Sequence, residues 1–245
     1  MERLLFVHGS VVGGRLTWGA QLPLADRFEL VVLDRPGFPP NPPVERVDFE
    51  VDAELVAGLL EPGDHLIGHS YGGVISLLAA AARPELLRSL TVIEPPATRV
   101  ALNVPAVAAF AAGGRKLYAS GETDDAERFL RRFLTAVGST FVPPSPLPPP
   151  LEQGARALVV ERGPWEAEIP LEALAAAPFP KLVVSGAHHA AFDAICDVLE
   201  HELEAERIVL PGYGHAAQRH PDFNTHLVDF VERAAARSTQ DRGQA

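Results

Sequence analysis

The stretch His65-Leu66-Ile67-Gly68-His69-Ser70-Tyr71-Gly72-Gly73-Val74-Ile75 carries an apolar run into a serine that has glycines two before and two after it. The run "DHLIGH" reads as a buried strand, and "GGVISLLAAAA" (72–82) reads as a helix of small residues, so Ser70 marks a sharp strand-to-helix turn. Such a turn needs small residues at Gly68 and Gly72, exposes the hydroxyl between them, and places it at a helix N-terminus, where a developing negative charge is favoured.

The pattern repeats outward from this point. Short apolar runs recur as "RLLFVHG", "FELVVLD", "DHLIGHS", "SLTVIEP", "KLVVSGA" and "ERIVLPG", with helical stretches between them. Parallel neighbours need a crossover of a dozen or more residues, so this alternation predicts βαβ units and a mostly parallel sheet of about six strands flanked by helices. The runs lack polar alternation, as expected of strands covered on both faces. In open α/β sheets ligands bind outside the carboxyl ends of the strands, which brings His8, Ser70, Glu94, His189 and His215 to one rim.

The block 97–177 breaks the rhythm. Three helical pieces, "VPAVAAFAAGGRKLYAS", "TDDAERFLRRFLTAV" and "LEQGARALVVERG", surround the proline run "FVPPSPLPPP" at 141–150. Proline lacks the amide donor, so the run is expected to be neither helix nor central strand but a stiff bridge. The block reads as a helical cap inserted after the strand that ends at Glu94, giving one domain over 1–245 with a core of 1–96 and 178–235. The tail "AARSTQDRGQA" is expected to fray.

With 245 residues and 47% hydrophobic content the chain can bury one substantial core. Its formal charge of −11 opposes non-specific binding to nucleic acid or to anionic membrane and favours a small neutral or apolar ligand. Cys196 is the one cysteine, so no intrachain disulfide is possible; it reads as a small buried hydrophobe in the helical "AFDAICDVLE". The apolar run from Leu4 to Val7 is too short for a signal-peptide core or a membrane span, so a cytoplasmic location is expected.

A serine hydroxyl becomes a nucleophile only with a base, an orienting acid and donors for the oxyanion. Taken together, "LLFVHGS", "DRPGF", "GHSYGG" and "GYGHAAQRHPDFNTHLVDF" resemble the α/β-hydrolase superfamily over nearly the whole chain. That resemblance implies an α/β-hydrolase fold, here without the family's frequent N-terminal hairpin because the first strand already leads into His8-Gly9. It implies Ser70 as nucleophile, His215 as base, and an oxyanion hole from the backbone amides of Tyr71 and Ser10. Trp18, a few residues on, is a candidate either for the pocket lining or for core packing. Asp34-Arg35-Pro36-Gly37 resembles a family loop that braces the His8 turn.

The family most often places an aspartate just past the penultimate strand, where this chain reads Gly186-Ala187-His188-His189. Glu94, at the end of the strand after the nucleophile, and Asp193, four residues past the expected place, are the substitutes; a site without an acid is the third reading. His188 and His189 are adjacent and point to opposite sides on an extended segment, so no metal site is expected. The implied activity is that of a serine hydrolase on a small, fairly apolar ester, lactone or thioester, with no cofactor. C–C bond hydrolysis, hydroxynitrile cleavage and perhydrolysis on the same residues, or ligand binding without efficient turnover, are the alternatives. Phe110, Tyr118, Phe129 and Phe133 suggest only that something apolar is enclosed, and oligomeric state is not legible.

Overall fold

The computed structural model describes residues 1–120 and 125–242, with side chains described as far as residue 237. Along the chain run β1 (Arg3–Val7), α1 (Gly14–Thr17), β2 (Glu29–Leu33), α2 (Phe49–Leu59), β3 (Asp64–His69), α3 (Tyr71–Ala82) and β4 (Leu87–Ile93). They are followed by α4 (Pro105–Tyr118), α5 (Ala126–Ala136), α6 (Pro149–Val159), α7 (Leu171–Ala176), β5 (Lys181–Ser185), α8 (Ala190–Glu202), β6 (Glu206–Val209) and α9 (Phe223–Arg242). The six strands form one sheet in the order β2-β1-β3-β4-β5-β6, and every pairing is parallel.

The apolar runs become strands because alternate residues enter two different cores. Leu5, Val7, Leu66, Val92 and Val183 face one side, where they pack with Val56 of α2, Val74 of α3 and Ile195 of α8. Leu4, Phe6, Ile67, Ile93 and Val184 face the other, against Trp18, Phe28 and the α9 residues Phe223, Leu227 and Phe230. Each fully buried side chain of this size contributes about 1.5–3 kcal/mol over its exposed state, and two such layers explain why strand alternation is invisible in the sequence. Cys196 is buried in α8 within the first of these cores, where burial pushes its thiol up to about 12.

Between β4 and β5 the chain builds α4 to α7, with a small core of its own that includes Leu117, Phe129, Leu130, Leu134, Leu151 and Leu158. The proline run departs from expectation at its end: Pro149 and Pro150 form the first turn of α6. The first amides of a helix have no intrahelical partner, so prolines there cost no hydrogen bond and supply the right φ. The third helical piece was expected to begin at Leu151, and the prolines extend it by two residues. The start of the second piece, at Thr123 and Asp124, lies outside the described residues. Where fraying was expected, α9 continues to Arg242; the last three residues of that tail also lie outside the described part. Among the described residues no helix is long and apolar enough to cross a membrane.

Candidate active site

Ser70 occupies the turn between β3 and α3 with φ 54° and ψ −125°, a left-handed conformation that is costly for a residue with a side chain. The flanking glycines allow the turn to sit close to its surroundings. A Cβ at Gly68 would run into Gly72 O and Ser76 Oγ, and one at Gly72 into Val7 O and His8 O. The backbone of the turn is thereby pressed against the end of β1, where a Cβ at Gly9 would stand 2.8 Å from Ser70 Cβ.

His215 lies in the loop after β6 and Glu94 at the end of β4, beside β3 in the sheet. His215 Nε2 is 2.8 Å from Ser70 Oγ, and His215 Nδ1 is 2.7 Å from Glu94 Oε2. The three polar groups are buried. Burial works against the charge on Glu94, but hydrogen bonds from His188 and His215, together with the Gly186 amide, outweigh it and hold its pKa down at about 2. The ionised carboxylate accepts a hydrogen bond from Nδ1–H, which leaves Nε2 as the acceptor for the Ser70 hydroxyl. His69 donates from Nε2 to the His215 carbonyl at 2.7 Å and so steadies the histidine loop from beneath.

Glu94 Oε1 has its own donors: the Gly186 amide at 2.6 Å and His188 Nδ1 at 3.1 Å. Thus the loop after β5, where the family most often carries an aspartate, delivers donors to a carboxylate that arrives from β4. Sequence reasoning raises His188 only as a metal ligand; the signal for this contact is the histidine standing at the vacant acid position. Asp193 lies in the first turn of α8, and both ring nitrogens of His215 are already engaged elsewhere. Glu94, His188 and His215 do bring one ligand-type atom each within 4.8 Å of one another, but these atoms already face each other as donor and acceptor.

Two cavities meet at Ser70. One, of about 440 Å³, lies among α4, α5 and α8 and is lined by Phe110, Leu117, Tyr118, Phe133, Trp165 and Phe192. The other, of about 420 Å³, lies on the His215 side, bordered by Val12, Leu16, Phe141, Pro144 and Pro148. Ser10, Ser70, Phe133 and Val137 border both. Phe129, expected among the enclosing residues, instead packs beneath Tyr118 with ring centroids 5.0 Å apart and is fully buried.

Trp18 corrects the assignment to substrate binding. It lines neither cavity; it is fully buried on the opposite side of the sheet, 5.0 Å from the Phe6 ring, because the loop after β1 folds it under the strand. Ser10 and Tyr71 do stand at Ser70. The Ser10 hydroxyl donates to Glu161 Oε2 at 2.5 Å, and Arg35 reaches Glu161 Oε1 at 3.1 Å, Asp52 at 2.8 Å and the Gly9 carbonyl at 2.9 Å. The Arg35 amide donates to His8 Nε2 at 3.0 Å. The early turn is therefore braced by a buried guanidinium. Glu161, which the sequence did not single out, is its partner from the end of α6; burial raises the pKa of that carboxyl, with Arg35 opposing. His8 is buried in this brace, and His189 caps α8 by accepting from the Ala191 amide while lining the first cavity with Ser70.

Residues 4–223 match the sequence model of the alpha/beta hydrolase family. The chain belongs to that family. Among characterised relatives of this hydrolase-family chain, the pimeloyl-[acyl-carrier protein] methyl ester esterase of Aeromonas hydrophila subsp. hydrophila is 33% identical over 140 residues, covering 56% of this chain and 54% of that protein. The 2-(acetamidomethylene)succinate hydrolase of Mesorhizobium japonicum is 32% identical over 96 residues, 37% of this chain and 34% of that one. The aligned part thus spans about half the length, or less, of these relatives. Of solved structures, NosK from Streptomyces actuosus superposes with a TM-score of 0.65 at 23% identity, over 96% of this chain and 99% of that one. A thermophilic esterase from Thermogutta terrifontis superposes with 0.67 at 20% identity, over 96% and 90%. At these identities the likeness is one of fold.

Proposed function

We propose that this chain is a serine hydrolase that cleaves a small, fairly apolar ester, lactone or thioester through an acyl-enzyme. The observation that carries the reading is the unbroken line Ser70 Oγ, His215, Glu94, at 2.8 and 2.7 Å, where two cavities meet. Ser70 attacks the carbonyl carbon while its proton passes to His215 Nε2, and Glu94 stabilises the imidazolium. The Tyr71 and Ser10 amides receive the oxyanion, assisted by the N-terminus of α3. Collapse breaks the bond to the leaving oxygen or sulfur, which takes the proton from His215. Water then repeats the sequence on the acyl-enzyme and releases the acid.

In this reading 97–177 is the cap of a single domain, and the apolar cavity under α4 and α5 receives the acyl group. The esterase named among the relatives supports ester cleavage, whereas its acyl-carrier substrate is that protein's own. Ligand binding without turnover would follow from a histidine lacking an acid, and the 2.7 Å contact between Glu94 and His215 supports turnover over that alternative. Labelling with a fluorophosphonate, followed by mapping of the modified residue, tests the mechanism: label on Ser70 is expected. Ser70→Ala is expected to lower kcat on p-nitrophenyl acyl esters by roughly 10⁶-fold with unchanged thermal unfolding. Near wild-type turnover in that variant would dispose of the serine mechanism.

A further inference from the structure

His188 presents both ring nitrogens to acceptors. Nδ1 stands 3.1 Å from Glu94 Oε1, and Nε2 stands 3.0 Å from the carbonyl of Val137. A neutral imidazole has one N–H and one lone pair, so it satisfies only one of these; an imidazolium satisfies both. Val137 is the residue that ends α5, and the last carbonyls of a helix carry partial negative charge and lack intrahelical donors. The ring lies between a carboxylate and a helix C-terminus, a setting that favours a cation, and is stacked on Phe192 at 5.8 Å and 21°. The side chain is 11% exposed. A Cβ at Gly138 would stand 2.9 Å from His188 Cδ2, so the turn after α5 closes directly on the ring.

We propose that His188 is a positioning residue: as an imidazolium bridging Glu94 and the Val137 carbonyl, it aims the carboxylate at His215 and ties the end of α5 over the site. The inference rests on Glu94 being the acid of the proposed serine mechanism. Loss of the His188 proton to solvent leaves a lone pair facing either Glu94 or Val137 O, and one end of the tie opens. Because Val137 borders both cavities, opening at that end loosens the wall that substrates meet. The groups that face His188 are Glu94 from β4, Asp193 from α8, the Val137 carbonyl from α5, His189 beside it, and His215 with its ring 5.8 Å away. Burial opposes the charge, but hydrogen bonding to Glu94 and its negative charge outweigh it and raise the pKa of His188 above the ordinary histidine value. The tie accordingly holds below that raised value and is lost as pH rises through it.

The experiment has a resting-state arm and a turnover arm. Long-range ¹H–¹⁵N spectra of the wild-type protein are expected to show His188 protonated on both nitrogens at pH 7; a single neutral tautomer there overturns the proposal, whatever the enzyme does. In turnover, His188→Gln keeps a donor at the Nε2 position and His188→Asn one at the Nδ1 position. The Gln variant is expected to lose kcat by about 10- to 100-fold, the worth of one hydrogen bond to a charged group. The Asn variant is expected to raise KM for p-nitrophenyl esters by about 10-fold with kcat largely kept, and to speed amide exchange at Val137–Ser139. Wild type should lose kcat/KM on the alkaline side at the pKa read for His188 by NMR, and neither variant should show that limb. Variants with wild-type kcat, KM and alkaline limb overturn the proposal. If instead Ser70→Ala retains turnover, the serine mechanism fails while the spectra and exchange still decide whether the tie exists.

Discussion

Glu94 satisfies three donors with two oxygens, Gly186 N–H and His188 on one and His215 on the other, from a backbone at φ 46° just past β4. The left-handed twist turns the side chain out of the strand direction and into the rim, which a strand residue in regular conformation would miss. A glutamine there is isosteric but presents an amide donor to a histidine that needs an acceptor. Glu94→Gln is therefore expected to lower kcat by as much as about 10⁴-fold, the cost of a wrong tautomer in a serine triad. Asp193→Asn, one turn into α8, should leave kcat within a few-fold, as befits a half-buried group away from the reacting atoms. Rates of both variants on one p-nitrophenyl ester give the ranking, and the reverse order would assign the acid to Asp193.

At the scale of elements, the β3–α3 turn and the β1 end are built as one piece. Gly72 faces the carbonyls of Val7 and His8, so an added methyl group must push β1 and α3 apart. Gly72→Ala is expected to cost about 1–3 kcal/mol, the usual toll of overpacking, and to displace Ser70. Gly58 makes the control: it lies in α2, exposed, with nothing within 4 Å of an added Cβ. Gly58→Ala is expected to stabilise by about 0.5–1 kcal/mol through helix propensity. Urea unfolding of the two variants should move in opposite directions; a neutral Gly72→Ala would refute the close approach. Elements were legible wherever a local rule decided them. The strands announced themselves as short apolar runs, and the serine turn by its glycines. The start of α6 did not, because proline is read as a breaker unless one knows that its amide falls in the unpaired first turn.

Across the whole molecule three buried histidines stay neutral. Burial lowers the pKa values of His8, His65 and His69, the last to about 3. The unfolded chain takes up these protons near pH 6.5 and the native state only at lower pH, so their contribution to stability is full above about 6.5 and falls as pH drops toward each folded value. The slope approaches about 1.4 kcal/mol per pH unit for each such group. Glu94 adds a second window, its contribution present above about 4.3 and lost as pH falls to about 2. The urea midpoint is expected to fall from pH 7.5 to pH 5, and His69→Gln, which keeps a donor for the His215 carbonyl, should flatten part of that slope. A midpoint constant over this interval would contradict the assignment of neutral histidines. The sequence by itself determined the sheet, the serine turn, and the placing of Ser70, Glu94 and His215 on one rim, because strand period, turn chemistry and the rule for strand ends are local; that Ser70 is buried came from the tertiary structure. Only the tertiary structure decided that His188 reaches Glu94 across 94 residues, that Glu161 reaches Ser10 across 151, and that Trp18 lies under the sheet. Those outcomes depend on how loops turn, as at Ala187 with φ 49° and Val11 with φ 79°, and on which elements the sheet order sets side by side; neither leaves a periodic trace in the chain.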